Sequence, residues 1–137
     1  LYIEREKRRD AMRVVHHVAE RLQAGDLISV FPEGTTGDGS ELLPFHANLF
    51  QAAVSAPTPV LPVGLAFIDA ATGRPHPAPV FVGDTTLVAS IWSVLSADGL
   101  QAVVHYGEPQ ESLGRDRRTW AQQARDEVDR LRRTGPF

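Results

Sequence analysis

The chain has 137 residues, 42% of them hydrophobic, and this length and composition suit one globular domain large enough to bury a core. Fourteen basic residues stand against seventeen acidic ones, and the net charge of −3 excludes a strong global attraction to nucleic acid or anionic membranes. The absence of cysteine excludes disulfides, thiolate metal sites and a cysteine nucleophile. No apolar run approaches the roughly 18 to 20 residues that a membrane-spanning helix needs.

The first part of the chain is predicted to form a strand, a helix and a second strand. Residues 1–4 are predicted as a short strand, and because the chain starts on apolar residues rather than Met, we expect further sequence upstream. Residues 8–24 carry apolar side chains at helical spacing, namely Ala11, Val14, Val15, Val18 and Leu22. Gly25 is placed to end this helix. Residues 27–31 are apolar and bounded by Asp26 and Pro32, which predicts a buried strand.

The remaining chain continues to alternate helices and strands. We predict a helix over residues 46–55, a buried strand over 60–68, a turn-rich excursion over 69–79 and a strand over 80–82. Thr85 or Thr86 is expected to cap a helix that ends at Leu95, and residues 101–106 are predicted as a strand. Asp116 is expected to cap a last helix whose apolar stripe is Trp120, Ala124, Val128 and Leu131. This order predicts an α/β layered fold, with a largely parallel or mixed sheet flanked by helices.

A polar, glycine-rich loop follows the strand predicted over residues 27–31. In open α/β sheets, ligands bind where strands end in such loops. Pro32 stiffens the start of this loop, Glu33 supplies a carboxylate, and Gly34 lets the backbone approach a ligand closely. Thr35 and Thr36 add hydroxyl groups. Two interpretations fit these residues: a polar ligand cradle, or a plain turn built from Gly and Asp.

The sequence Phe-Pro-Glu-Gly-Thr at residues 31–35 resembles the F-P-E-G-T block of the glycerol-phosphate and lysophospholipid acyltransferase family. Two weaker blocks occur in the expected order. Residues 2–5 are similar to the aromatic-Ile-x-Arg block of the family, and residues 60–64 are similar to its V-x-P-V-x block. The resemblance covers residues 2–64 and implies a single acyltransferase-like domain over residues 1–137.

The resemblance implies catalysis by a His-x-x-x-x-Asp motif, in which the Asp orients the His and the His acts as general base on the acceptor hydroxyl. The chain has five histidines, and the residues at the corresponding position are Arg21, Leu22, Gln51, Phe81 and Gln110. None of them is Asp. We therefore expect no catalytic residue in this chain, and we expect the motif in an N-terminal segment that the 137 residues lack.

The resemblance also implies substrate-binding roles. Arg5 is implied as a cation near the polar head of the acceptor, with a solvated surface charge as the alternative. Glu33, Gly34, Thr35 and Thr36 are implied to form the loop beside the base. Pro62 is implied to shape the acyl or acceptor pocket, with simple strand punctuation as the alternative.

The residue after Glu-Gly-Thr bears on the acceptor. Family members that act on phosphate-bearing acceptors commonly have Arg there, whereas this chain has Thr36, whose hydroxyl cannot form the bidentate bonds of a guanidinium with phosphate. The following residues are similar to the branch that acylates lyso-ornithine lipids, so lyso-ornithine lipid and lysophosphatidate both remain candidate acceptors. The expected donor is acyl-CoA or acyl-carrier protein.

The expected function is therefore an O-acyltransferase of membrane lipid biosynthesis at the cytoplasmic face of the membrane, peripheral or anchored through its N-terminal part. No cofactor, metal or nucleic acid is expected. The alternative is a non-catalytic lipid-binding or interaction module on the same scaffold, which the missing His/Asp pair motivates.

Several other features favour structural roles. His16 and His17 point in different directions on one helix, which disfavours a shared metal. His46 is expected at the surface or at a helix cap, with contact to an anionic ligand at the start of its helix as the alternative. The apolar face formed by Leu87, Val88, Ile91, Trp92 and Leu95 is expected in the core, with contact to a bilayer or an acyl chain as the alternative. The last helix mixes arginines with acidic residues, which predicts a solvated face.

Overall fold

The computed structural model describes residues 8–134, and the side chains of residues 12–134. Within this range the chain forms four helices and two strands. In chain order they are α1 (Arg8–Gln23), α2 (Ala47–Ser55), β1 (Val63–Asp69), α3 (Leu87–Leu95), β2 (Leu100–Tyr106) and α4 (Arg117–Arg133). The strand predicted for residues 1–4 lies outside the described residues.

The two strands pair with each other in an antiparallel sheet. Val63 lies opposite Tyr106 at one end and Asp69 lies opposite Leu100 at the other. Because the chain leaves β1 and enters β2 at the same end of the sheet, the connection does not cross over, and the strands must run in opposite directions. The α/β class is thus confirmed, while the described sheet is small and antiparallel where a largely parallel or mixed sheet was predicted.

Helix α4 forms the centre of the main hydrophobic cluster. Trp120 is fully buried and packs with Ala121 and Ala124 against Phe50 and Ala53 of α2. The rings of Trp120 and Phe50 meet edge to face, with centroids 5.6 Å apart. The predicted cap is confirmed, since the Asp116 side chain accepts from the backbone N–H groups of the first turn. The predicted apolar stripe of this helix is therefore its core face.

The other predicted helices are also confirmed. α1 packs Val15 and Ala19 against Ala52 of α2. α3 begins after Thr86, whose hydroxyl accepts from the backbone N–H of Ala89 at 3.2 Å. However, α3 has no buried residue, and Trp92 is 71% exposed, so the expectation that its apolar face lies in the core is wrong.

Two predicted strands are also wrong. Residues 27–31 have no strand partner within the described part of the chain, and Leu27 is 100% exposed. Residues 80–82 likewise form no strand there. A short apolar run becomes a strand only when a neighbouring backbone supplies its hydrogen bonds, and composition cannot supply that neighbour. The strand predicted over residues 60–68 starts at Val63 and alternates between buried and exposed positions instead of being buried throughout.

Candidate functional site

The loop that carries Glu33 begins with a tight turn. The backbone N–H of Gly34 donates to the carbonyl of Phe31 at 3.2 Å, which places Pro32 and Glu33 at the two central positions. The fixed φ of proline suits the first of these positions. Gly34 has a φ of +70°, a conformation that residues with a Cβ rarely adopt. The sequence therefore folds locally so that Glu33 lies within a tight turn.

His46 closes this loop against the turn. Its backbone N–H donates to the carbonyl of Pro32 at 2.8 Å, and it occupies the N-cap position of α2 without a side-chain cap bond. Its ring fills the space next to Gly34, where an added methyl group would lie 2.7 Å from Nε2. The predicted cap position is confirmed. The contact with Gly34 was not predicted, because it depends on how residues 34–46 fold back.

Glu33 is a half-buried residue, and its carboxylate is oriented by one backbone group. Its Oε2 accepts from the backbone N–H of Leu43 at 2.7 Å. A carboxylate can accept several hydrogen bonds, so this bond fixes the direction of the group without exhausting its capacity. Glu33 is thus held in place and can still accept a hydrogen bond from a ligand.

Two arginines of α4 bind the backbone of the segment that contains Leu43. Arg125 donates to the carbonyl of Leu42 from Nε at 3.2 Å and from Nη2 at 2.5 Å, and to that of Leu43 from Nε at 3.3 Å. Arg132 donates to the carbonyls of Gly39 at 2.7 Å and Ser40 at 2.9 Å. These two side chains were predicted on a solvated face. That interpretation missed their hydrogen bonds to this segment, because nothing in the local pattern of α4 indicates a partner more than 80 residues away in the sequence.

Carboxylates around this segment are also hydrogen-bonded. The bond from Arg132 to Asp129, at 2.7 Å, holds the pKa of Asp129 below its ordinary value of 3.8. Bonds from the Ser40 hydroxyl and backbone N–H lower the pKa of Asp38 in the same way. Both groups therefore remain ionised at neutral pH. Asp38 binds Ser40 within its own turn, which agrees with the interpretation of this part of the loop as a plain turn.

The predicted substrate-binding residues fall into three groups. Glu33, Gly34, Thr35 and Thr36 lie together in the loop, and the last three are exposed. Pro62 is buried before β1, where its carbonyl accepts from the Gly107 N–H at 2.9 Å, which is a structural contact. Arg5 lies outside the described residues.

Two clefts formed by the described residues are lined by other side chains. One, of about 410 Å³, is lined by Arg115, Asp116, Thr119, Trp120 and Gln123. The other, of about 300 Å³, is lined by His17, Val18, Arg21, Asp26, Leu27 and Ile28. Glu33 and its neighbours therefore present their polar groups on an open loop surface, outside both clefts.

The described residues form neither a metal-binding cluster nor a membrane-spanning helix. No group of three or more His, Asp or Glu side chains among them is arranged to hold a metal ion. Of the four helices between residues 8 and 134, none combines the length and apolar character that crossing a bilayer requires.

Known proteins with similar sequences agree with the resemblance found in residues 31–35. A lyso-ornithine lipid O-acyltransferase of Rhizobium meliloti is 34% identical, over 79% of this chain and 41% of its own length. A 1-acyl-sn-glycerol-3-phosphate acyltransferase of Neisseria gonorrhoeae is 38% identical, over 77% of this chain and 41% of its own length. A lyso-ornithine lipid O-acyltransferase of Pseudomonas aeruginosa is 32% identical, over 87% and 45%. No solved structure matches the chain.

The match to a family model locates the shared region. The family described as Acyltransferase matches residues 1–66, which include the Glu33 loop and Pro62. The chain spans less than half the length of the three relatives named above. From the family match and these relatives together, the chain belongs to the acyltransferase family.

Proposed function

We propose that the protein containing this chain transfers a fatty acyl group from acyl-CoA or acyl-carrier protein to the free hydroxyl of a lysolipid at the cytoplasmic face of a membrane. The observation that carries the proposal is the turn from Phe31 to Gly34 within the family-like block, together with the Leu43 N–H that orients the Glu33 carboxylate of this turn. The relatives named as a lyso-ornithine lipid O-acyltransferase and as a 1-acyl-sn-glycerol-3-phosphate acyltransferase match 79% and 77% of this chain, and their names support the enzyme over the non-catalytic module.

The proposed reaction needs a base that the 137 residues do not contain. A histidine oriented by an aspartate takes the proton of the acceptor hydroxyl, and the oxygen attacks the thioester carbonyl. The new C–O bond forms, the C–S bond breaks, and the departing thiolate takes up a proton. In this proposal the His-x-x-x-x-Asp pair comes from polypeptide beyond these residues, and the Glu33 loop binds the acceptor beside it.

Two acceptors fit the same site. Thr36 is exposed at the position where an arginine would bind phosphate, so a neutral hydroxyl faces the acceptor head group, which favours a lyso-ornithine lipid. Lysophosphatidate is supported by the relative from Neisseria gonorrhoeae, whose name specifies that activity.

The test is an acyl-transfer assay with the complete protein that contains these residues. Acyl-CoA and acyl-carrier protein are each combined with lysophosphatidate and with lyso-ornithine lipid, and the acylated product is measured. We expect transfer to one of the two lysolipids, and loss of transfer when the histidine of the His-x-x-x-x-Asp pair is replaced by alanine. Binding of both lysolipids without transfer to either, in a protein with an intact pair, would support the non-catalytic module instead.

A further inference from the structure

We propose that Arg125 and Arg132 are positioning residues that set the direction of the Glu33 carboxylate from the far side of residues 39–43. This proposal rests on the proposed function, since it assigns α4 a part in acceptor binding. Residues 39–43 are called the strap below. The strap connects the two arginines to Glu33, and each link is a hydrogen bond between named atoms.

Arg125 supplies the first link. Its guanidinium spans the carbonyls of Leu42 and Leu43, so a single planar group fixes two successive peptide units. The side chain is only 26% exposed, and a charged donor in such a setting forms stronger bonds than a neutral one. Lysine presents its charge at one point, so it cannot reproduce this two-carbonyl contact.

Arg132 supplies a second anchor two helical turns further along α4. Residues seven positions apart lie on the same face of a helix, so both arginines face the strap. Arg132 is 13% exposed, and its guanidinium is held by Asp129 while it donates to the carbonyls of Gly39 and Ser40. The strap is therefore fixed near both ends by one rigid helix.

Leu43 joins the strap to Glu33. Its carbonyl accepts from Arg125 and its N–H donates to Glu33, at 3.3 and 2.7 Å. A shift of the peptide at Leu43 therefore shifts the carboxylate. In enzymes, misplacing a group by about 1 Å can cost about 100-fold in rate.

Other arginines of α4 do not contact the strap, so the strap contacts are particular to Arg125 and Arg132. Arg130 and Arg133 pair with Glu127 and Asp129 on their own helix and are each 63% exposed. The helix itself is held by its Asp116 cap and by its buried face. Because α4 has these other supports, loss of the Arg125 contacts should disturb the strap more than the helix.

The first test compares kinetics in the complete protein. We expect Arg125→Met to lower kcat/KM for the lysolipid by about 10- to 100-fold, and Arg125→Lys to recover part of the loss. The matched control, Arg130→Met, removes an arginine five residues along the same helix that does not reach the strap, and it should keep near wild-type activity. Equal losses in Arg125→Met and Arg130→Met would overturn the proposal.

A double-mutant cycle separates positioning from a general loss of stability. If Arg125 acts through Glu33, then Arg125→Met should cause less than about a twofold further loss in a Glu33→Ala background. Should the two effects multiply in full, Arg125 would be a structural residue and the proposal would fail.

Amide hydrogen exchange at Leu43 tests the linkage without using activity. We expect the Leu43 N–H to exchange at least about tenfold faster in Arg125→Met than in wild type, with no change in Arg130→Met. If Arg125→Met does not fold, Arg125→Lys serves for the same measurement. Unchanged exchange would overturn the positioning role, whereas faster exchange in a protein with no acyl transfer would overturn the proposed function alone.

Discussion

At Gly34 two separate requirements exclude a side chain. The backbone has a φ of +70°, and the imidazole of His46 occupies the space that a Cβ would need. The positive φ can be predicted from the position of glycine in a turn. The contact with His46 can be seen only in the folded structure. Beside Gly34, the backbone N–H of Leu43 orients the Glu33 carboxylate. Thr35 and Thr36 are exposed and carry no charge.

In the proposed site, Thr36 offers a neutral hydroxyl where an arginine would offer a positive charge to the acceptor. We expect Thr36→Arg to raise the ratio of kcat/KM for lysophosphatidate to that for lyso-ornithine lipid by about tenfold, or about 1.4 kcal/mol, because a guanidinium bonds phosphate in bidentate fashion. Thr36→Gln, which adds length without charge, is the control and should leave the ratio nearly unchanged. An equal shift in both variants would show that size rather than charge is responsible.

Helix α4 connects three parts of the described fold. It packs on α2 through Trp120 and holds the strap through two arginines. It also lies directly against β1 at Gly64, where an added methyl group would be 2.6 Å from Cβ of Leu131 and 2.7 Å from the backbone N of Arg132. Because the close atoms include backbone, they cannot rotate away.

This contact predicts a loss of stability on adding one methyl group. We expect Gly64→Ala to lower the free energy of unfolding by about 1 to 3 kcal/mol, the usual cost of overpacking. Urea denaturation measures the change. Gly37→Ala is the control, because a methyl group there has nothing closer than 4.0 Å. A Gly64→Ala protein as stable as the control would mean that α4 lies further from β1 than described.

Element by element, local signals predicted the helices better than the strands. Thr86 and Asp116 mark the starts of α3 and α4 because a capping side chain bonds its own helix. Residues 27–31 and 80–82 were predicted as strands from apolar composition, but a strand depends on a partner elsewhere in the chain. The exposed face of α3 shows the same limit, since periodicity defines an apolar face and does not say what covers it.

For the molecule as a whole, the sequence motif predicted the loop residues of the candidate site but not the arginines of α4 that hold the strap. Residues 33–35 are adjacent in sequence and match a family block, so they were identifiable directly. Arg125 and Arg132 reach the strap across sequence separations of 82 to 93 residues, and such contacts leave no trace in local spacing. Family membership itself was predictable from residues 31–35 and is confirmed by the matching relatives.

The most direct test of this account is the activity of Glu33→Ala in the complete protein. We expect kcat for acyl transfer to the preferred lysolipid to fall by about 100-fold or more, with the urea midpoint of unfolding little changed. Glu41→Ala, which removes an exposed glutamate from the same loop, should retain wild-type turnover. Wild-type turnover by Glu33→Ala would contradict the central claim that this oriented carboxylate belongs to the acyltransferase site.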